Sequence, residues 1–410
     1  MEFIPIIDLN EFDSFVKNSP YNHYMKTSYW AQYQKKNGYH PYFVGMKEEG
    51  QLVGTALILE KKIPLVGSYL YIPWGPCVDY TNQTHLDYFL TCLKQFALEK
   101  KAVFLRFDAN VQRVSRDSMG NQIDGINQEY ITEWIKEQGF VHKGYGYAYN
   151  GSWVNRYTLV IDLKPPLEEI VGRFTKSKQS ILKRQPQMGV STRIGSKKDL
   201  PYLIQFEKEL SIRQQFKPHS ISFFEHLIDS LKENIKIYVT EVNLDQMILG
   251  IEEELDSKKY RKDPEAKAAK EKELRLAKSW KQEHGSTLVL AAGIFVFYGK
   301  KSWDLYTYNA KDYPNFKATD NLHYFAIQDL KESGVEYYDM VGFSGVTDKS
   351  DPYYGLYDYK RSFGSEFMEF IGEFDYIRDQ KKYQLYKKTL RYTKGFKRRV
   401  YKVVYRKKES

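Results

Sequence analysis

Apolar positions along this chain switch repeatedly between two periods. Leu86, Phe89, Leu90, Leu93 and Phe96 recur at three-and-four spacing, which predicts an amphipathic helix over Leu86–Lys100. Runs rich in β-branched and aromatic residues predict strands at Tyr42–Lys47, Leu52–Lys61, Ser68–Ile72, Ala102–Phe107 and Phe140–Tyr147. Helices are expected at Leu9–Val16, Ser28–Lys36 and Tyr130–Gln138. After Ser152 the alternation starts again. Strands are expected at Tyr157–Leu163, Val190–Ile194, Ile237–Val242, Leu288–Tyr298, Trp303–Tyr308 and Tyr337–Val341. Helices are expected at Leu167–Arg184, Lys198–Gln215, Ile221–Asn234 and Asn321–Ser333. The two halves share one order of elements, which points to a duplicated mixed α/β module.

One segment interrupts the second half. Leu244, Ile248, Ile251 and Leu255 step by four, three and four, the spacing of a coiled-coil seam. Pro264 marks a turn, and the return arm offers Ala266, Ala269, Leu276 and Trp280 before Gly285 ends it. This predicts an antiparallel helical hairpin over 244–285, projecting roughly 30 Å at helical rise. The expected organisation is a first module over 1–150, a second over 151–375 carrying the hairpin, and a tail over 376–410.

Composition narrows the class. At 410 residues, 42% hydrophobic and 28% charged, the chain is long enough for two or three folded domains. Its longest apolar run, Leu288–Tyr298, is too short to span a bilayer, and MEFIPIIDLNEFDSF lacks the pattern of a secretory leader. Two cysteines exclude a disulfide framework and suit a reducing cytoplasm. Scattered histidines and the lack of a Cys/His cluster predict no structural metal. The net charge of +10 is concentrated at the C-terminus, where 376–410 holds fourteen Lys and Arg against Asp379 and Glu409. Interleaved with tyrosines, that tail is a solvated basic helix or a surface for anionic lipid or a phosphate backbone.

Candidate chemistry centres on Asp339–Asp375, where a Gly/Ser/Asp loop and a short helix over Gly355–Phe363 separate two apolar strands. Lys360 and Arg361 lie inside it, behind Tyr353, Tyr354, Tyr357 and Tyr359. Taken alone, the pair is a solvated surface pair or a presented cation. The basic stretch Arg173–Arg184 is equally open between solvated surface and a phosphate contact.

Taken together, SPYNHYMKTSYWAQYQKKNGY, YIPWGPCVDY, FLRFDAN, the hairpin, VGFSG, YKRSFG and FIGEFD, in that order, resemble the Fem-type peptidoglycan aminoacyltransferases over essentially the whole chain. The resemblance implies two acetyltransferase-like modules with a helical arm in the second. It implies transfer of an amino acid from aminoacyl-tRNA to a stem-peptide amino group of a peptidoglycan precursor, building the interpeptide bridge. An aminoacyl ester is already activated, so no cofactor or metal is implied. Lys360 matches the family lysine at the aminoacyl-ester end, and Tyr359 an aromatic that stacks on the terminal adenosine. Asp108 falls on a strand-end carboxylate proposed as a base, and with Arg106 two residues back it is equally a buried ion-pair partner. Tyr306 and Tyr308 match tyrosines lining the precursor channel.

Departures from the family pattern are informative. Family members that use the soluble nucleotide-linked precursor grip its diphosphate with a lysine in the early helix. Gln34 stands there, followed by Lys35 and Lys36. Their second phosphate-gripping pair falls on His219-Ser220, with Phe223 in place of a tyrosine and Arg213 six positions upstream of His219. A lipid-linked precursor is therefore favoured, and the basic tail gains a purpose at the inner membrane face. Glycines of the second module are too widely spaced for a coenzyme A pyrophosphate loop, which disfavours an acyl-CoA N-acetyltransferase. A non-catalytic tRNA- or membrane-binding adaptor would not need Lys360.

Overall fold

The computed structural model describes residues 1–147 and 153–390. The predicted boundary at residue 150 and most of the basic tail lie outside the described residues.

The first half contributes β1 (Glu2–Ile4), α1 (Leu9–Asn18), α2 (Ser28–Lys36), β2 (His40–Glu48), β3 (Gln51–Ile63), β4 (Gly67–Ile72), β5 (Cys77–Val78) and α3 (Gln83–Glu99). It continues with β6 (Phe104–Arg116), β7 (Gln122–Asn127), α4 (Glu129–Glu137) and β8 (Val141–His142). The second half opens with β9 (Tyr157–Asp162), α5 (Leu167–Gly172), α6 (Lys176–Arg184), β10 (Val190–Ile194), α7 (Leu200–Gln214), α8 (Ile221–Leu231) and β11 (Ile235–Asn243). Then come α9 (Leu244–Leu255), α10 (Lys258–Lys262), α11 (Pro264–His284), β12 (Thr287–Tyr298) and β13 (Lys301–Asn309). The last elements are α12 (Ala318–Glu332), β14 (Tyr337–Phe343), α13 (Tyr354–Arg361), β15 (Glu366–Ile377) and a final helix over 380–390.

All strands join one mixed sheet, ordered β1-β2-β3-β4-β6-β15-β9-β14-β13-β12-β11-β10. Each half holds one parallel pair joined by a crossover helix: β4 with β6 through α3, and β13 with β14 through α12. The apolar stripe of α3 (Leu86, Phe89, Leu90, Leu93, Phe96) packs on Val44, Ile58, Leu70 and Leu105. The stripe of α12 (Leu322, Ala326, Ile327, Leu330) does the same on Tyr238, Phe295 and Tyr338. The duplicated module expected from element order is present.

β15 joins the halves. It runs antiparallel to β6 over Met368–Ile377 and to β9 over Glu366–Glu369. Buried charges lock it there. Arg106 forks onto Asp375 at 2.7 and 2.7 Å and reaches Glu373 at 3.2 Å. Glu369, fully buried, receives Arg113 from β6 at 2.9 Å, Arg116 at 2.5 Å, and Arg156 just before β9. Planar guanidinium forks suit this bidentate duty.

Some predicted elements differ. The single helix expected over Leu167–Arg184 is two, because Thr175 breaks the run and caps α6 through its hydroxyl. Within that stretch Lys178 is buried and paired to Asp320 at 2.7 Å, not solvated, while Lys176, Lys183 and Arg184 are exposed. In the hairpin, Leu244, Met247 and Ile251 are buried on the outgoing arm and Ala277 on the return. Ala266 and Trp280 are half-buried as expected, with Trp280 packed on the core, whereas Ala269 and Leu276 face solvent and their neighbours Lys270 and Ala277 turn inward. Lys270–Glu254 at 2.9 Å and Lys278–Glu252 at 2.8 Å close its flanks. The polar ribbon formed by β7 against the end of β6 has no apolar alternation to announce it.

Candidate active site

Two turns with left-handed backbone shape the site. Trp74 (φ 57°) and Val341 (φ 61°) both occupy a region that costs non-glycine residues energy, β-branched ones most. Strain of this kind persists where the surroundings fix it, and it concentrates at functional positions.

The Val341 turn puts a bulge into β14. Pairing with β9 slips between Asp339 and Gly342, and the freed carbonyls of Val341 and Gly342 turn toward α13. Lys360 reaches up from α13, 8% exposed, and donates to them at 2.9 and 3.2 Å. A Cβ on Gly342 would sit 1.9 Å from the Asn155 amide, so only glycine admits this approach. Two half-buried carboxyls, Asp304 and Asp339, act on the ammonium through charge without pairing with it directly. Asp339 accepts from Val341 N at 2.6 Å and from the Thr158 hydroxyl, and Asp304 accepts from Thr307 at 2.6 Å. Burial pushes both acids up to about 6, against the pull of Lys360. Burial also lowers the Lys360 pKa, and Asp304 and Asp339 oppose that shift. The result is a desolvated cation with two protons committed to carbonyls and a third available, the arrangement that can meet a developing oxyanion. His323 completes the floor, donating or accepting at Tyr338 OH (2.6 Å); burial drops its pKa to about 3, which keeps it neutral.

Asp108 lies in the other half. It is 1% exposed, takes the Tyr71 hydroxyl at 2.6 Å on Oδ2, and has no partner for Oδ1 among the described residues. Arg106 does not pair with it; that guanidinium is spent on Asp375 and Glu373. Burial, and then the Glu373 carboxylate across the strand pair, hold Asp108 well above the usual carboxylate range. Both causes favour its neutral form over the carboxylate a general base needs.

A cavity of about 720 Å³ encloses Asp108, walled by Trp30, Gln34, Tyr71, Trp153, Glu373 and the helix over 380–390. A second, of about 870 Å³, holds His23, Lys301, Trp303 and Asp339. Trp74 and Phe370, with ring centroids 5.0 Å apart, wall both. The strained Trp74 turn thus stands where an Asp108 chamber meets a chamber lined by Asp339, and Lys360 lines neither of them.

The remaining predicted residues fall elsewhere. Tyr359 lies against the Lys178 ammonium, 4.4 Å from its ring centroid, and against His323 and Phe363. Tyr306, Tyr308, His219 and Phe223 form a separate cluster along the seam between α2 and α8, outside the walls of both cavities. His219 stacks on Phe223 at 4.1 Å, and Glu207 gathers His219 Nδ1 at 2.5 Å and Tyr308 OH at 3.1 Å. Lys36 contacts His226 at 3.1 Å across the same seam, whereas Lys35 and Arg213 are exposed. Of Gln34, Lys35 and Lys36, Gln34 alone lines the Asp108 cavity. Sequence reasoning missed Asp304, Asp339, Trp74 and Lys301. Their chemistry depends on a bulge and two left-handed residues that composition does not mark.

The model of the FemAB family matches residues 7–390. The chain belongs to the FemAB family. A relative named lipid II:glycine glycyltransferase, from Staphylococcus aureus (strain MRSA252), is 26% identical over 402 residues, covering 92% of this chain and 93% of its own. A solved structure titled "Crystal structure of FemX" superposes with a TM-score of 0.80 at 25% identity, covering 94% of this chain and 99% of that one. This FemAB protein is an aminoacyltransferase. Among its described residues no helix is long and apolar enough to cross a membrane, and no group of His, Cys, Asp or Glu could hold a metal ion.

Proposed function

We propose that this FemAB protein transfers an amino acid from aminoacyl-tRNA to a stem-peptide amine of a lipid-linked peptidoglycan precursor. The observation that carries the reading is Lys360, buried and held by the Val341 and Gly342 carbonyls, two residues along the strand from Asp339, which lines the second chamber. The acceptor amine attacks the ester carbonyl. A C–N bond forms, the bond to the tRNA ribose oxygen breaks, and the amine's proton leaves as that oxygen gains one. Lys360 donates to the carbonyl oxygen while it carries negative charge, and Asp304 and Asp339 keep Lys360 charged. Aligning two bound substrates supplies much of the remaining acceleration. Tyr359 borders the aminoacyl end, and Asp108 with Glu373 faces the acceptor. The relatives' name and Gln34 in the cavity wall, where a diphosphate-gripping lysine would stand, favour the lipid-linked acceptor. The basic C-terminal stretch suits contact with anionic lipid.

Lys360→Ala tests the assignment. Single-turnover transfer should fall about 10²–10³-fold, as for loss of an oxyanion donor, with the Kd for charged tRNA held within a few-fold. Unchanged transfer, or loss traced wholly to tRNA binding, overturns the role.

A further inference from the structure

Leu65 is the most exposed large apolar residue of the described chain, at 97%, and it has a left-handed backbone (φ 65°). It tips the Ile63–Gly67 hairpin, between Pro64 and the buried Val66. Leucine is disfavoured in that conformation and gains nothing from burial here. Val66 and Ile63 pack into one cluster with Tyr383, Tyr386 and Leu390 of the helix over 380–390. The tip and the helix are thus parts of one rigid edge. That helix buries its tyrosines and turns Lys381, Lys382, Leu385 and Lys388 outward. Lys62, also exposed, stands beside the tip. Asp379 is the acid at this end, and it is engaged in capping the helix through Lys382 N at 3.0 Å. The chain continues from this edge into 391–410, which holds nine Lys and Arg against Glu409.

We infer that this edge, the Ile63–Gly67 tip together with the outer face of the helix over 380–390, docks on an anionic lipid bilayer. A projecting apolar side chain with Lys62 near it, on one edge with the exposed Leu385, Lys381, Lys382 and Lys388, matches the two demands of such a surface: an apolar wedge below the headgroups and cations among them. A nucleic-acid backbone would use the lysines and leave Leu65 in water. The inner side of the same helix, through Tyr383, Tyr386 and Lys387, walls the Asp108 cavity. Docking here places the cavity against the membrane. Only the use of this placement, delivery of a lipid-linked acceptor, rests on the proposed function; the surface itself stands on exposure and charge.

The test is sedimentation of the full chain with vesicles of phosphatidylglycerol and phosphatidylcholine, and with phosphatidylcholine alone. Wild type should bind the mixed vesicles, less so as salt rises, and bind the neutral ones weakly. Leu65→Asn removes the wedge with a residue that tolerates left-handed backbone, so its melting temperature should hold while vesicle affinity falls about fivefold or more. Lys381→Glu/Lys382→Glu/Lys388→Glu should weaken binding at least about a hundredfold, from roughly fivefold per lysine. Both variants should transfer normally to a short-chain, water-soluble acceptor analogue. Wild-type affinity for mixed vesicles in both variants, or no preference of wild type for them, overturns the inference. So does a triple variant that loses charged tRNA and keeps vesicles. Vesicle binding by a wild type that transfers to no acceptor leaves the surface standing and removes the proposed function instead.

Discussion

Lys360 is worth most where water is absent, and Asp304 and Asp339 set the pH at which it works. Both acids are lifted to about 6 from the usual 3.8 by burial, so the folded protein keeps protons that the unfolded chain has released. Stability from this pair is fully present below about pH 4 and is lost as pH rises through about 6. Asp304→Asn should therefore flatten the fall in melting temperature between pH 4 and 7. The rate should move the other way, rising through about pH 6 as the carboxylates ionise and hold Lys360 charged. In Asp304→Asn that acid limb should shrink or shift; an unchanged profile would detach Asp304 from Lys360. Asp108 behaves differently. Burial and Glu373 favour its neutral form, which Asp108→Asn mimics, so that variant should cost less than about tenfold in kcat. A loss of a thousandfold would restore it as a base.

At the level of elements, β15 decides whether two modules become one body. Glu369 answers three arginines from β6 and the approach to β9, all of them largely buried. Glu369→Ala strands those cations and should cost about 3–5 kcal/mol, read as a lower midpoint in denaturant. Apolar periodicity made most elements legible: α2 and β10 appear with the predicted ends, and α3 and β12 begin or end within three residues of theirs. Periodicity could not reveal that β15 leaves its own half to pair with β6, because a strand's neighbours are not written in its alternation. The hairpin was legible from its heptad steps and Pro264. Its return stripe was legible in part: Ala266 and Trp280 turn inward, while Ala277 is buried in place of Leu276. At the site, family motifs pointed to Lys360 and Asp108, whereas no motif marked Asp304 on β13 or Asp339 before the bulge in β14.

Across the whole molecule, one continuous sheet carries two chambers, each lined by residues of both halves, and Trp74 and Phe370 wall both. Such an architecture suits two large substrates brought together where the halves meet. The hairpin stands apart from both chambers and packs its base on the second module's core. Replacing its outer part, 256–263, with a short flexible turn should leave the melting temperature within a few degrees and lower affinity for charged tRNA, measured by filter binding. Unaltered affinity would remove the hairpin from tRNA recognition. The most direct measurement is transfer of radiolabelled amino acid from a charged tRNA pool to the lipid-linked precursor, with the nucleotide-linked precursor in parallel. Label appearing in the lipid-linked form, and absent with Lys360→Ala, is the predicted result. Label in neither form, even with a bridge-extended acceptor supplied, would contradict the account.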